Sequence, residues 1–276
     1  MGCLEQQGFS VLVDSDGSWD SANIWSTLAL YMFSFHIPLS FGGLSIVASI
    51  LHRPVLDPQA QAWPRDILIL VSFSLLRPEG HSQALSILII QILELTAAVI
   101  LLKHTTTNQY SILSLFQPNE LARDRNWLVA AVIGFGFLML VVFLTSIVAD
   151  QLIGPKVHLD FPEDVGNPMV KEILSDGPIS KAACILVYCI LTPLLEEIIY
   201  RGFLLKSLVT KMKWQQAVVV SSVVFSAAHL SGENSLQLFI IGCVLGSSYC
   251  WSGNLRTSFT IHSLYNAVIL MSMVLS

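Results

Sequence analysis

Residues 194–205 read LLEEIIYRGFLL, with Glu196, Glu197 and Arg201 set inside an apolar run. The whole chain has the same bias. Of its 276 residues 54% are hydrophobic and 12% are charged, and its mean hydropathy is +0.68. A water-soluble domain carries about a quarter charged residues, so hydrocarbon is the main solvent of this chain. Ionisable groups are costly there and usually face a bundle interior or a wet cavity. The stretch thus predicts helices that bury a functional polar centre.

Working outward, apolar segments at 24–50, 84–102, 127–149, 180–200, 214–230, 236–252 and 257–275 approach the length of about 20 residues that a membrane-crossing helix needs. Residues 67–76 are apolar but short, either an eighth span or a re-entrant piece. The expected fold is all-α, a polytopic membrane helix bundle of about seven to eight transmembrane helices. It divides into an acidic tail at 1–23, N-terminal spans at 24–150, an acidic loop at 151–179 and a C-terminal core at 180–276.

Lys and Arg in the loops set orientation. If residues 67–76 cross, the basic loops 51–66, 103–126, 201–213 and 253–256 share one side and both termini lie opposite. If they do not, the side of the N-terminus is open. The net charge of −5 argues against a nucleic-acid partner, and the cysteines show no metal-ligand spacing. Residues 1–23 hold four acids and no Lys or Arg, unlike a signal or transit peptide. An integral multi-pass membrane location follows; composition leaves the compartment open between the endoplasmic reticulum and a plastid membrane.

Glu197 and Arg201 are spaced i, i+4 and can pair on one helix face. Glu196 is rotated by about 100° and needs a partner elsewhere. Two later stretches offer one: Phe225–His229, and His262–Asn266 at i, i+4 in the last helix. The basic stretch 211–214 is the natural hairpin turn, and Glu196 and His229 lie about sixteen residues to either side, which brings them to one level. Glu196, His229, His262 and Asn266 can therefore converge inside the bilayer. A shielded carboxylate beside imidazoles is suited to act as general base on a water, and His262 and Asn266 to donate to an oxyanion. Glu94 lies outside this set and reads as a structural or interfacial carboxylate; Phe35 and His36 read as packing residues.

The spacings EExxxR (Glu196–Arg201), FxxxH (Phe225–His229) and HxxxN (His262–Asn266), in that order, resemble the CAAX protease and bacteriocin-processing family of intramembrane glutamate endopeptidases. The resemblance covers residues 180–275. It implies a helical bundle with an intramembrane cavity and cleavage of a prenylated CAAX-type or membrane-proximal peptide. It further implies that Glu196 activates water with help from His229, that His262 and Asn266 form the oxyanion hole, that Glu197 and Arg201 support them, and that no metal or other cofactor takes part. The implied partners are a peptide or prenylated protein substrate and membrane lipid. Two alternatives stay open: a non-proteolytic membrane scaffold that stabilises partner proteins, and a zinc hydrolase with Glu196, His229 and His262 as ligands. The sequence has no HExxH or GxSxG motif, and Asp150 stands alone at a span end, so other intramembrane protease classes are not indicated.

Overall fold

The computed structural model describes residues 9–12, 21–37, 81–105, 112–117, 122, 124–153, 177–229 and 234–275. Among these residues the regular structure is helical throughout: α1 (Ser21–Tyr31), α2 (His81–Thr105), α3 (Trp127–Ile153), α4 (Pro178–Val209), α5 (Trp214–Ala228), α6 (Ser235–Ser252) and α7 (Leu255–Leu275). α2, α3, α4, α6 and α7 are long and apolar enough to cross a membrane, and α5 is a shorter apolar helix. The protein is a polytopic all-α membrane bundle. The apolar segment 67–76 falls outside the described residues.

α4 is the axis. The apolar window of α4 is 61% buried, against 17% for α2 and 28% for both α3 and α7. Those outer helices turn large apolar side chains outward, among them Ile92, Leu93, Val132, Ile133, Phe137, Phe143 and Met271. Such a surface would be an aggregation liability in water and is the expected one in lipid. α4 starts with Pro178 behind Gly177, a good first-turn arrangement. It widens twice into π-type turns, over Val187–Leu191 and over Ile198–Leu205. Such turns are rare and concentrate at functional sites. The second follows directly on Glu196 and Glu197.

Tight connections then stack α5, α6 and α7 on α4. Gln216 Oε1 accepts the Lys213 N–H at 3.3 Å at the start of α5. α6 ends on Gly253 at φ 62, a left-handed cap that a residue without Cβ adopts freely. Asn254 Oδ1 then accepts the Arg256 N–H at 3.0 Å and opens α7. Ser226 Oγ donates to Ser235 O at 2.6 Å, tying the end of α5 to the start of α6.

Arg125, Lys211 and Lys213 in the connections, and Arg256 in the first turn of α7, lie at one end of the bundle. At that same end Val11 N–H donates to Cys250 O at 2.9 Å, Phe9 stacks on Trp214 at 4.6 Å, and Arg125 Nη1 donates to Phe9 O at 2.6 Å and Trp251 O at 2.8 Å. This corrects the orientation drawn from eight crossings. Residues 9–12 sit at the basic end, whereas α7 leaves it, so the two ends of the described chain lie on opposite sides. Loop charge alone missed this because it required a crossing at 67–76 to place the N-terminus.

α5 and α6 approach closely at Gly242. A Cβ there would lie 2.9 Å from Ser222 Cβ and 3.0 Å from its Cα. Gly242→Val should therefore lower stability by about 1–3 kcal/mol, read as a lower thermal midpoint in detergent. Gly136→Ala, whose added Cβ meets nothing within 4 Å, should leave the midpoint unchanged or raise it.

Candidate active site

Five of the six residues singled out in the sequence meet between α4, α5 and α7. Glu197 and Arg201 are fully enclosed, at 0% and 1% exposure, and Glu196 and His262 are buried. Arg201 Nη1 donates to Glu197 Oε1 at 3.0 Å, the i, i+4 pair expected from spacing. His262 Nδ1 donates to the same oxygen at 2.9 Å. Arg201 Nη2 also reaches Gly242 O at 3.4 Å. The pair thus joins α4, α6 and α7. A lone charge would be strongly destabilising here; the triad shares it among groups of opposite sign.

Glu196 faces the other way. Its Oε1 lies 3.7 Å from His229 Nε2 and its Oε2 lies 3.6 Å from His262 Nε2. The two imidazoles therefore flank one carboxylate at nearly equal range. Their other nitrogens are already engaged. His229 Nδ1 is 2.7 Å from Phe225 O. A carbonyl oxygen only accepts, so Nδ1 carries the proton and Nε2 of the neutral ring is a lone pair turned to Glu196. His262 Nδ1 is likewise held by Glu197, which leaves Nε2 as its working atom.

Phe225 explains why the motif spells FxxxH. Its carbonyl orients His229 one turn on. Its ring centroid lies 4.5 Å from both the His229 ring and the Arg201 guanidinium carbon, 5.2 Å from the Tyr200 ring edge-on and 6.1 Å from His262. Contact with the face of an aromatic ring suits a cation and excludes water from the buried pair. Ser221 Oγ donates to Tyr200 O at 3.0 Å, filling a carbonyl in the widened turn of α4. From the sequence, Phe225 and Tyr200 read as cavity wall or packing, because neither a ring contact nor a backbone carbonyl leaves a sequence signal of its own.

Asn266 stands one turn beyond His262, as i, i+4 requires, and its Nδ2 donates to Tyr188 O in the first widened turn of α4 at 2.9 Å. The structure thus ties Asn266 to α4 through the backbone. Glu94 is buried on α2 and holds its own company: Tyr31 Oη donates to its Oε1 at 3.2 Å, Gln91 Nε2 donates to its Oε2 at 3.4 Å, and His36 Nδ1 lies 3.5 Å from Oε1. His36 is therefore more than a packing residue. Its partners sit in other helices, where no short spacing announces them. Among the described residues no cluster of three or more His, Cys, Asp or Glu side chains is arranged to hold a metal ion.

This geometry sits inside a recognisable segment. Residues 178–268 match the family model described as type II CAAX prenyl endopeptidase Rce1-like. Over this segment the chain is similar to the CAAX protease and bacteriocin-processing family. A curated relative, the membrane-embedded CAAX protease MroQ of Staphylococcus aureus (strain USA300), is 26% identical over 154 residues, 53% of this chain and 58% of that protein. The chain thus spans a little over half the length of this relative. No solved structure matches the chain. The family segment begins with α4 and ends within α7, so it contains every residue of the Glu196 and Glu197 clusters.

Removing one member of the enclosed pair leaves an uncompensated charge, at a cost of about 3–5 kcal/mol, whereas replacing both by apolar groups costs far less. Arg201→Met should sharply lower the thermal midpoint in detergent. The double variant Glu197→Met/Arg201→Met should recover part of that loss, a non-additivity that a double-mutant cycle measures directly.

Proposed function

We propose that the protein is an intramembrane endopeptidase that hydrolyses a peptide bond with a water activated by Glu196. The observation that carries this is a carboxylate flanked by two imidazole Nε2 atoms at 3.6 and 3.7 Å, each held by a partner on its far nitrogen. In this reading the nucleophilic water sits beside the Glu196 carboxylate, between the two imidazoles. Glu196 takes its proton as the oxygen attacks the scissile carbonyl, and the lone pair on His229 Nε2 is placed to share that proton and pass it to the leaving amine.

The carbonyl oxygen gains negative charge as the bond forms. In this reading His262 enters the cycle with a proton on each nitrogen, so that Nε2–H donates to that oxygen while Nδ1–H stays on Glu197 throughout. The second N–H of Asn266 is available from one turn below. Fixed donors of this kind are among the strongest contributions to catalysis of amide hydrolysis. Glu197 and Arg201 keep His262 in place and touch no substrate. No covalent acyl intermediate is needed, because the nucleophile is water.

The family match supports a prenylated CAAX-type protein or a membrane-proximal peptide as substrate, reached through lipid. A membrane scaffold would keep the same fold and bind partners without cleavage. The two separate on one comparison. Wild type and Glu196→Gln are purified in detergent and assayed on a farnesylated CAAX peptide and on an unprenylated membrane-proximal peptide, with and without chelator. Wild type should cleave at least one peptide with chelator present. Glu196→Gln should be slower by about 10³-fold, the scale of a lost general base, with its thermal midpoint retained. Equal rates in both proteins would exclude Glu196 as the base. Loss of wild-type activity to chelator would move the reading to a zinc hydrolase.

A further inference from the structure

The second buried polar cluster ends at the catalytic helices. On α4, Thr192 Oγ1 donates to Gln91 Oε1 of α2 at 3.3 Å, one turn before Glu196. Gln91 Nε2 donates to Glu94, and Glu94 faces His36 beyond the end of α1. His36 Nε2 in turn lies 3.2 Å from Ala228 O, the carbonyl immediately before His229. The chain of contacts runs α4, α2, α1, α5 and bridges the two helices that carry Glu196 and His229.

Three features make this more than incidental packing. Ala228 O belongs to the last turn of α5, where carbonyls lack the regular intrahelical partner, and His36 brings a donor to it. The carbonyl only accepts, so His36 Nε2 carries a proton and its Nδ1 is the atom turned to Glu94. A proton held by either member of that pair makes the 3.5 Å contact attractive. Tyr31 adds its hydroxyl to the same Glu94 oxygen and stacks on His36 at 5.9 Å, which fixes the ring. A carboxylate at 7% exposure is a destabilising way to fill space among apolar helices unless it has a further use.

We infer that His36 and Glu94 are positioning residues: they clamp the C-terminal turn of α5 and so set where His229 stands relative to Glu196. This rests on the peptidase reading, in which both groups contact the attacking water, and it gives the N-terminal helices a part in the chemistry. Misplacing a catalytic group by about 1 Å can cost up to about a hundredfold in rate.

The test uses the full chain and whichever peptide wild type cleaves. His36→Phe keeps the ring and removes the donor; His36→Gln keeps a donor. His36→Phe should lower kcat roughly tenfold with KM within about twofold of wild type, and His36→Gln should recover to within about threefold. Glu94→Gln should fall between them. A parallel measurement needs no activity. Spin labels at the exposed positions Ile190 on α4 and Ala227 on α5 report the separation of the two helices. His36→Phe should broaden or shift that distance distribution, and His36→Gln should restore it. If wild type cleaves neither peptide, the peptidase reading fails, and the distances alone decide the clamp. An unchanged kcat in His36→Phe overturns the positioning role. So does an unchanged distance distribution, or an equal loss in both His36 variants.

Discussion

The site depends on one buried charge arrangement, Glu197 held by Arg201 and His262. A carboxylate at 0% exposure is tolerated only with hydrogen-bond partners, and Glu197 has two, both on Oε1. Arg201 supplies one from its own helix, and His262 supplies the other from α7. Because Arg201 also reaches Gly242 O on α6 and lies against Phe225 on α5, a single ion pair fixes four helices against one another. The position of Glu196 follows. It is the residue just before Glu197 on α4, turned by about 100°, and it faces the two imidazoles that the rest of the lock holds in place.

The two carboxylates thus divide labour through geometry. Glu197 accepts from two donors at 2.9 and 3.0 Å and is locked, whereas Glu196 stands 3.6 and 3.7 Å from its imidazoles. The second widened turn of α4 begins at Ile198 and shapes this region. Neighbouring side chains bond to its backbone as well, as Ser221 does to Tyr200 O.

The same principle governs the outer half of the molecule. Glu94 is buried on α2 and draws Tyr31, His36 and Gln91 around it. The resulting polar thread meets α4 through Thr192 and α5 through Ala228 O. Inside lipid, polar groups find each other because water is absent, and the helices that carry them are pulled into register.

Much of this was legible from the chain. Composition identified the solvent, apolar runs located the spans that the structure describes, and i, i+4 spacing paired Glu197 with Arg201. Counting from the turn at 211–214 brought Glu196 level with His229, because helix rise converts residue number directly into depth. Those are local rules, and they held. The structure alone decided what rests on contacts between distant segments. The Tyr188 carbonyl under Asn266, the Phe225 carbonyl and ring around His229 and Arg201, and the His36–Glu94 pair come from backbone oxygens, ring faces or helices far apart in sequence. None has a period to read. The placement of residues 9–12 at the basic end belongs with them. It follows from hydrogen bonds to Cys250 and Arg125, and a tally of loop charges depends on a crossing number that such contacts do not share.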